Sequence, residues 1–320
     1  MGFKLTMYNI NTSVKILVIG DLMIDHYIHG NCNRISPEAP IPVVEVTHET
    51  YTLGGAGNVI KNIKALGCDC DIIAITGNDE NSHRIKNLLN ETNVAGDGLV
   101  ADADRCTTIK SRVLAINHQL IRMDREVAEP IGADVEHLIL ERLSDRINNY
   151  DVVLLSDYNK GLLTDSVLHS AIQICNDAGK SVLVDPKGLD FAKYKGASLI
   201  KPNRKEAGLA TGIKIKDTET LELACRKIKE ITNCQSVIVT MSEDGIALFD
   251  NDTLTVIPTK AMGVIDVTGA GDTVLASLGV ATASGYTLQQ ACEFANAAAA
   301  VVVKKVGSAT AAINEINEKY

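Results

Sequence analysis

Short apolar runs without polar alternation recur along this chain, and each is followed by a segment of helical period. Lys15–Gly20 (KILVIG) is the first; Asp71–Ile75, Val152–Ser156 (VVLLS), Val182–Val184, Leu199–Ile200 and Val237–Thr240 repeat the pattern. A strand with one wet face alternates apolar and polar residues, so uniformly apolar runs belong to strands buried on both faces. Helix-period segments lie between them at Asn58–Leu66, Glu80–Leu89, Asp134–Ile147, Ser166–Ala178 and Thr218–Ile231, with Gly67 and Gly179 placed to end two of them. Strand and helix in turn predict parallel βαβ units: an α/β domain with a mostly parallel sheet covered on both faces.

Two stretches break that rhythm. Residues 27–53 carry Ile41-Pro42-Val43-Val44-Glu45-Val46 and little helical period, and residues 107–124 read as two strands, KSRVLAI and QLIRMD, around Asn117-His118. Both predict antiparallel segments inserted into the α/β domain, together a small β lid over one edge. No linker, repeat or low-complexity segment divides the chain, so residues 1–320 are expected to form one domain.

Charge narrows the partners. Lys plus Arg number 31 against 40 Asp plus Glu, a formal net charge of −9. Such a chain is not drawn to nucleic acid or to an anionic membrane surface, so small-molecule partners are expected. No apolar run approaches the roughly 20 residues of a membrane helix, and Val14–Gly20, followed at once by Asp21, is a first strand rather than a signal core. The eight cysteines are scattered without a C-x-x-C pair, which fits core thiols in a reduced, cytoplasmic setting. Met1–Thr6 matches the loose myristoylation pattern, but no polybasic stretch supplies a second anchor and a chance match is expected.

The strongest chemical signal is Asp266-Val267-Thr268-Gly269-Ala270-Gly271-Asp272-Thr273, which opens the apolar helical run Val274–Ala283. Gly269 and Gly271 permit a tight turn and close ligand approach. The N–H groups from Gly269 to Asp272 would then point out of a helix N-terminus and form an anion hole for a transferring phosphoryl group. Asp272, in the first turn, is placed to take a proton from an attacking hydroxyl; the plainer alternative is a glycine turn with an acidic helix cap. Gly54-Gly55-Ala56-Gly57-Asn58 opens the first long helix and would let a polyol approach, with Asn58 able to donate and accept. Asp21 and Asp25 follow the first strand, where ligands of open α/β sheets bind. Asn203 and Glu206, after Lys201-Pro202, suit hydrated Mg²⁺ and equally a capping box. A third Rossmann glycine, a G-x-x-x-x-G-K-[ST] loop and a G-x-S-x-G elbow are all absent from the sequence.

Taken together, the GGAGN turn and the DVTGAGDT segment, in this order and separation, resemble the two signatures of the ribokinase/PfkB-type carbohydrate kinases, and the resemblance runs from end to end. Within that family, Gly20–Gly30, Arg34–Val44, Asn117–Asp124, Leu155–Gly161, Val184–Gly188 and Lys201–Glu206 are similar to the branch that acts on D-glycero-β-D-manno-heptose 7-phosphate; in some bacteria that kinase is fused to a nucleotidyltransferase. The resemblance implies a three-layer α/β/α fold with a β lid, and ATP-dependent transfer of a phosphoryl group to O1 of the heptose phosphate in ADP-heptose synthesis. It makes Asp272 the base and the amides of Gly269, Ala270 and Gly271 the anion hole. Asp21, Asp25, Gly54, Gly55 and Asn58 would face the sugar. Asn203 and Glu206 would lie on the Mg²⁺–phosphate side, with Glu206 holding the metal through water. Thr240, Ser242, Gly245, Thr268 and Asn296 would surround the nucleotide, and Asp266 would belong to a loop for a monovalent cation, K⁺. Arg grips phosphate bidentately, so Arg34 and Arg122, then Lys187, are the expected clamps for the sugar's own phosphate, with Arg112 and Lys160 in the same group of segments. Pairing of the inserted strands across a two-fold axis suggests a homodimer. The alternatives are a kinase of the same fold for fructose 1-phosphate or ribose, and a non-catalytic nucleotide-binding relative.

Overall fold

The computed structural model describes residues 7–115, 118–259, 261 and 263–318; the acylation-like pattern of residues 1–6 and the turn residue Asn117 lie outside them. In chain order the elements are β1 (Lys15–Gly20), β2 (Leu22–Ile35), β3 (Pro42–Gly55), α1 (Ala56–Ala65), β4 (Asp69–Thr76), α2 (Glu80–Glu91), β5 (Leu99–Ala101), β6 (Ile109–Ala115), β7 (His118–Arg125), α3 (Ala133–Arg146), β8 (Val152–Ser156) and α4 (Asp165–Asp177). There follow β9 (Ser181–Asp185), β10 (Leu199–Ile200), α5 (Arg204–Thr211), α6 (Thr218–Thr232), β11 (Ser236–Thr240), β12 (Ile246–Asp250), β13 (Thr253–Ile257), α7 (Ala270–Ala283), α8 (Leu288–Val302) and α9 (Ile313–Asn317).

Nine strands form the large sheet in the order β13-β12-β11-β10-β9-β8-β1-β4-β5, parallel except at β11–β12 and β12–β13. Strand β1 shows why its sequence has no polar alternation. Ile16 and Val18 pack into a core layer with Ile60 of α1, Leu275 of α7 and Phe294 of α8. Leu17 and Ile19 pack on the opposite face with Leu143 of α3, Leu168 of α4 and Ile228 of α6. The result is the expected three-layer α/β/α arrangement. Six cysteines are buried in these layers, and burial pushes the thiols of Cys70, Cys175, Cys225 and Cys292 up to about 12, as core thiols should behave. Among the described residues no helix is long and apolar enough to cross a membrane.

The inserted segments form a second, four-stranded sheet in the order β3-β2-β6-β7. Each hairpin is antiparallel as expected, but β2 and β6 pair in parallel. The reason is geometric: β2 follows β1 and β6 follows β5, so both leave the carboxyl edge of the large sheet in the same direction. The first hairpin is also longer than its composition indicated, starting at Leu22 and ending at Gly55. Asp21, Asp25, Gly54 and Gly55 therefore lie at the root of the small sheet, where it meets the domain.

Candidate active site

Helix α7 delivers Asp272 to the carboxyl edge of the large sheet. Gly269 caps the helix at φ 74°, a left-handed conformation that an L side chain resists. Asp272 is 5% exposed, and each of its oxygens takes one donor: Asn58 Nδ2 reaches Oδ2 at 2.8 Å and the Tyr158 hydroxyl reaches Oδ1 at 2.6 Å. Burial raises its pKa, while the Tyr158 and Asn58 hydrogen bonds and the Lys201 charge oppose the rise. Asn58 Oδ1 is buried with no partner among the described residues. First-turn amides of a helix have no acceptor within it. Of those expected to form the anion hole, however, the Ala270 N–H closes a turn on the Val267 carbonyl at 3.2 Å, which leaves Gly269, Gly271 and Asp272. The ammonium of Lys201 stands beside this turn: a Cβ on Gly271 would lie 3.8 Å from its Nζ. Lys201 is 2% exposed and pairs with Asp185 at 2.9 Å. Burial, only partly offset by Lys201, pushes Asp185 up to about 6.

On one side of Asp272 stand the carboxylates at the root of the small sheet. Asp21 Oδ2 accepts the main-chain N–H groups of Tyr158 at 2.9 Å and Lys160 at 3.1 Å, while Oδ1 is buried without a partner among the described residues. Burial and the neighbouring Asp157 charge push Asp21 up to about 6. A buried carboxylate with a free oxygen suits sugar hydroxyls, which can donate to it. Asp25 pairs with Arg112 Nη1 at 2.6 Å, and a Cβ on Gly54 would stand 2.8 Å from its Cγ. That close approach is the physical need for glycine at 54.

The other side is formed by the ends of β10 and β11. Asn203 and Glu206 make the reciprocal capping box of α5, at 2.9 Å and 3.0 Å, and Glu206 Oε1 also takes Lys187 Nζ at 2.7 Å. Asn203 bridges to Thr240, and a groove of about 760 Å³ opens beside them, lined by Arg204, Lys205 and Ser242 among others. Gly245 turns the chain at φ 93° after Ser242 at φ 53°. Asn296 of α8 donates to the Pro258 carbonyl at 2.8 Å.

A model of the pfkB family carbohydrate kinases matches residues 13–315 of this sequence. The chain belongs to the pfkB family of carbohydrate kinases. It is 50% identical over 305 residues to the "Bifunctional protein HldE" of Campylobacter curvus, covering 95% of this chain and 64% of that one. The protein of the same name from Helicobacter hepaticus is 50% identical over 306 residues, 95% of this chain and 63% of the relative. The chain thus spans less than two-thirds of the curated relatives it matches. In fold it is similar to Arabidopsis thaliana ribokinase complexed with ribose and ATP, with a TM-score of 0.74, 20% identity and 96% and 98% of the two chains covered. Escherichia coli phosphofructokinase-2 in complex with potassium gives a TM-score of 0.76 at 19% identity over 96% and 98%. The fold is therefore ribokinase-like.

Of the residues singled out from sequence, Asp21, Asp25, Gly54, Gly55, Asn58 and the Gly269–Gly271 turn lie around Asp272, while the three expected phosphate clamps divide. Arg122 stands cross-strand from Arg112, so both project from the face of the small sheet that carries Asp25; Arg122 also holds Asp124 at 2.9 Å. Arg34 is far out on β2, paired with Glu45 at 3.3 Å with both side chains more than half exposed. Lys187 is committed to Glu206. Asp266 accepts from Thr268 N and Oγ1 on one oxygen and from Gly307 N on the other, so it braces the loop ahead of Gly269 against the 307 turn. That leaves Thr268 turned to Asp266 rather than displayed on its own. Among the described residues no group of three potential metal-ligating side chains occurs. Tyr158, Asp185 and Lys201 belong to segments quoted for their resemblance but received no role. A rule that ligands gather beyond strand ends would have found all three, whereas the Tyr158–Asp272 bond itself spans 114 residues and has no local signal.

Proposed function

We propose that this kinase transfers the γ-phosphoryl group of ATP to O1 of D-glycero-β-D-manno-heptose 7-phosphate, giving the 1,7-bisphosphate, in the cytoplasmic synthesis of ADP-heptose for lipopolysaccharide core. One observation carries the reading: four of the six segments that resemble heptose-phosphate kinases lie far apart in sequence yet meet around Asp272. They supply Asp21 and Asp25, the Tyr158 loop, Asp185, Lys201 and the Asn203–Glu206 box. Asp272 takes the O1 proton as the O1–P bond forms and the bond to the β-phosphate bridging oxygen breaks, with ADP leaving. The Gly269, Gly271 and Asp272 amides and Lys201 would face the charge on the moving group. Asp21, Asp25 and Asn58 would orient the sugar, and Arg112 with Arg122 would meet its 7-phosphate. Thr240, Ser242, Gly245 and Asn296 would border the nucleotide.

Mg²⁺, when bound, would neutralise phosphate charge. Both oxygens of Glu206 already accept hydrogen bonds, from Lys187 and Asn203, so the donor set fits a metal held through water rather than directly. Asp266, with both oxygens taken by N–H and O–H donors, fits the brace of a K⁺ loop better than a sole ligand. Residues 1–320 act in this reading as one kinase domain whose small sheet is the lid, excluding water from the phosphoryl group.

A kinase assay across a sugar panel tests the substrate. Turnover is expected on the heptose 7-phosphate and at least about a hundredfold less on ribose or fructose 1-phosphate, a lower bound well inside the roughly 10⁴-fold discrimination that unpaired buried polar groups can impose; the reverse ranking would discard the proposal. The small sheet leaves Ile35, Val46, Ile121 and Met123 exposed, which supports its pairing with a second copy as a homodimer. Light scattering should give twice the chain mass, and a monomer at assay concentration would remove the shared lid.

A further inference from the structure

We infer that Tyr158 is a positioning residue for the base, holding the sugar-side carboxylate of Asp21 with its main chain and the carboxylate of Asp272 with its side chain. The inference rests on reading Asp272 as the base. Tyr158 follows β8 by two residues, at the mouth of the site. Its N–H donates to Asp21 Oδ2 at 2.9 Å and its hydroxyl donates to Asp272 Oδ1 at 2.6 Å. The loop itself is pinned from below. Asp157 accepts Lys193 Nζ at 2.7 Å and the hydroxyl of buried Tyr194 at 2.6 Å, and Asn159 N–H closes on Asp157 at 2.7 Å. The loop therefore cannot shift at one carboxylate without shifting at the other.

Two donors, one on each oxygen, fix the plane of the Asp272 carboxylate. Each oxygen retains a lone pair for the incoming hydroxyl. Tyr158 is suited to this because burial and the Asp272 charge raise its own pKa well above that of a free phenol, so it remains a donor through the working range. The charged groups that face Asp272 are Lys201 and Lys61, which favour its ionised form, and Asp25 and Asp185, which oppose it. Burial works with the two carboxylates. Removing the phenol leaves that side less opposed, so the Asp272 carboxyl should bind its proton at higher pH.

The test is the pH profile of kcat/KM for Tyr158→Phe, which keeps the ring and deletes the donor. Its acid limb should move up by about one pH unit, a roughly tenfold loss at any pH on the limb, with only a few-fold loss at the alkaline plateau. A loss equal at every pH, with the limb unmoved, would mean that the ring only packs, and the inference would be wrong. Replacement of Tyr158 by a fluorinated tyrosine, a stronger donor of the same shape, should move the limb down; it carries the test if the phenylalanine variant does not fold, and an unmoved limb there refutes the inference as well. The two readings fail separately. If Asp272→Asn retains turnover, the base assignment falls; if that variant is inactive and the Tyr158→Phe limb stays in place, only the role of Tyr158 falls.

Discussion

Asp272→Asn should lower kcat by about three orders of magnitude, within the range of general-base contributions, while leaving the fold and nucleotide binding in place. The change is isosteric and swaps one carboxylate oxygen for an NH₂ group. The Asn58 Nδ2 donor can keep an acceptor in the remaining oxygen, and the Tyr158 hydroxyl can turn to accept from the new NH₂. The hydrogen-bond pattern therefore survives. The lost function is acceptance of a proton, because an amide has no basic lone pair near neutral pH. Stability should not suffer. Burial disfavours the charged form of Asp272, so the neutral amide removes a cost instead of adding one. Single-turnover kinetics with the heptose 7-phosphate, together with calorimetric binding of a non-hydrolysable ATP analogue, separates chemistry from binding. A variant that turned over near the wild-type rate would falsify the assignment of the base, and one that lost nucleotide binding to the same extent would point to a collapsed loop.

How far the sequence carried this picture depends on the range of each interaction. The parallel strands were legible because burial on both faces writes itself locally: KILVIG and VVLLS need no partner to be recognised. The ends of α1, α2, α3, α4 and α6 were legible to within about two residues, since helix periodicity and the signals that stop it are local. Strands β12 and β13 were missed, as their pairing at the sheet edge leaves short segments with weak periodicity. The parallel β2–β6 junction was invisible because it joins two hairpins separated by more than fifty residues, and only the shared direction of exit from the large sheet decides it. In the site, Asp272, Asn58 and Asp21 were found through glycine turns and strand ends. Arg34 and Arg122 carry the same chemistry in the sequence, and only strand register sets Arg122 beside Arg112 while leaving Arg34 towards the outer end of β2.

The two glycines of the DVTGAGDT turn should part company on substitution. Gly269→Ala meets two obstacles at once. Its φ of 74° costs an L residue about 1–2 kcal/mol. Its Cβ would also lie 2.5 Å from Asn58 Nδ2, the donor that holds Asp272, and 3.5 Å from the Ser308 Cα. Asn58 is buried and its neighbour Asn62 donates to its carbonyl at 2.8 Å, so the amide can yield only by leaving Asp272. A base left with a single donor loses its orientation, and turnover should fall by about a hundredfold, the penalty for misplacing a reacting group by an ångström. Thermal stability should fall with it. Gly271→Ala meets neither obstacle: it lies inside α7, and its Cβ would sit 3.8 Å from Lys201 Nζ and 3.9 Å from Asp185 Oδ2, ordinary contact distances. Alanine is the better helix former by about 1 kcal/mol, so this variant should melt no lower than wild type. Its methyl nevertheless projects towards Lys201, across the path proposed for the phosphoryl group, so activity should drop without loss of stability. Melting temperature and kcat measured on both variants decide the matter. If Gly271→Ala destabilises the protein as much as Gly269→Ala, the turn serves only to enter the helix and the phosphate-side reading of Gly271 is lost.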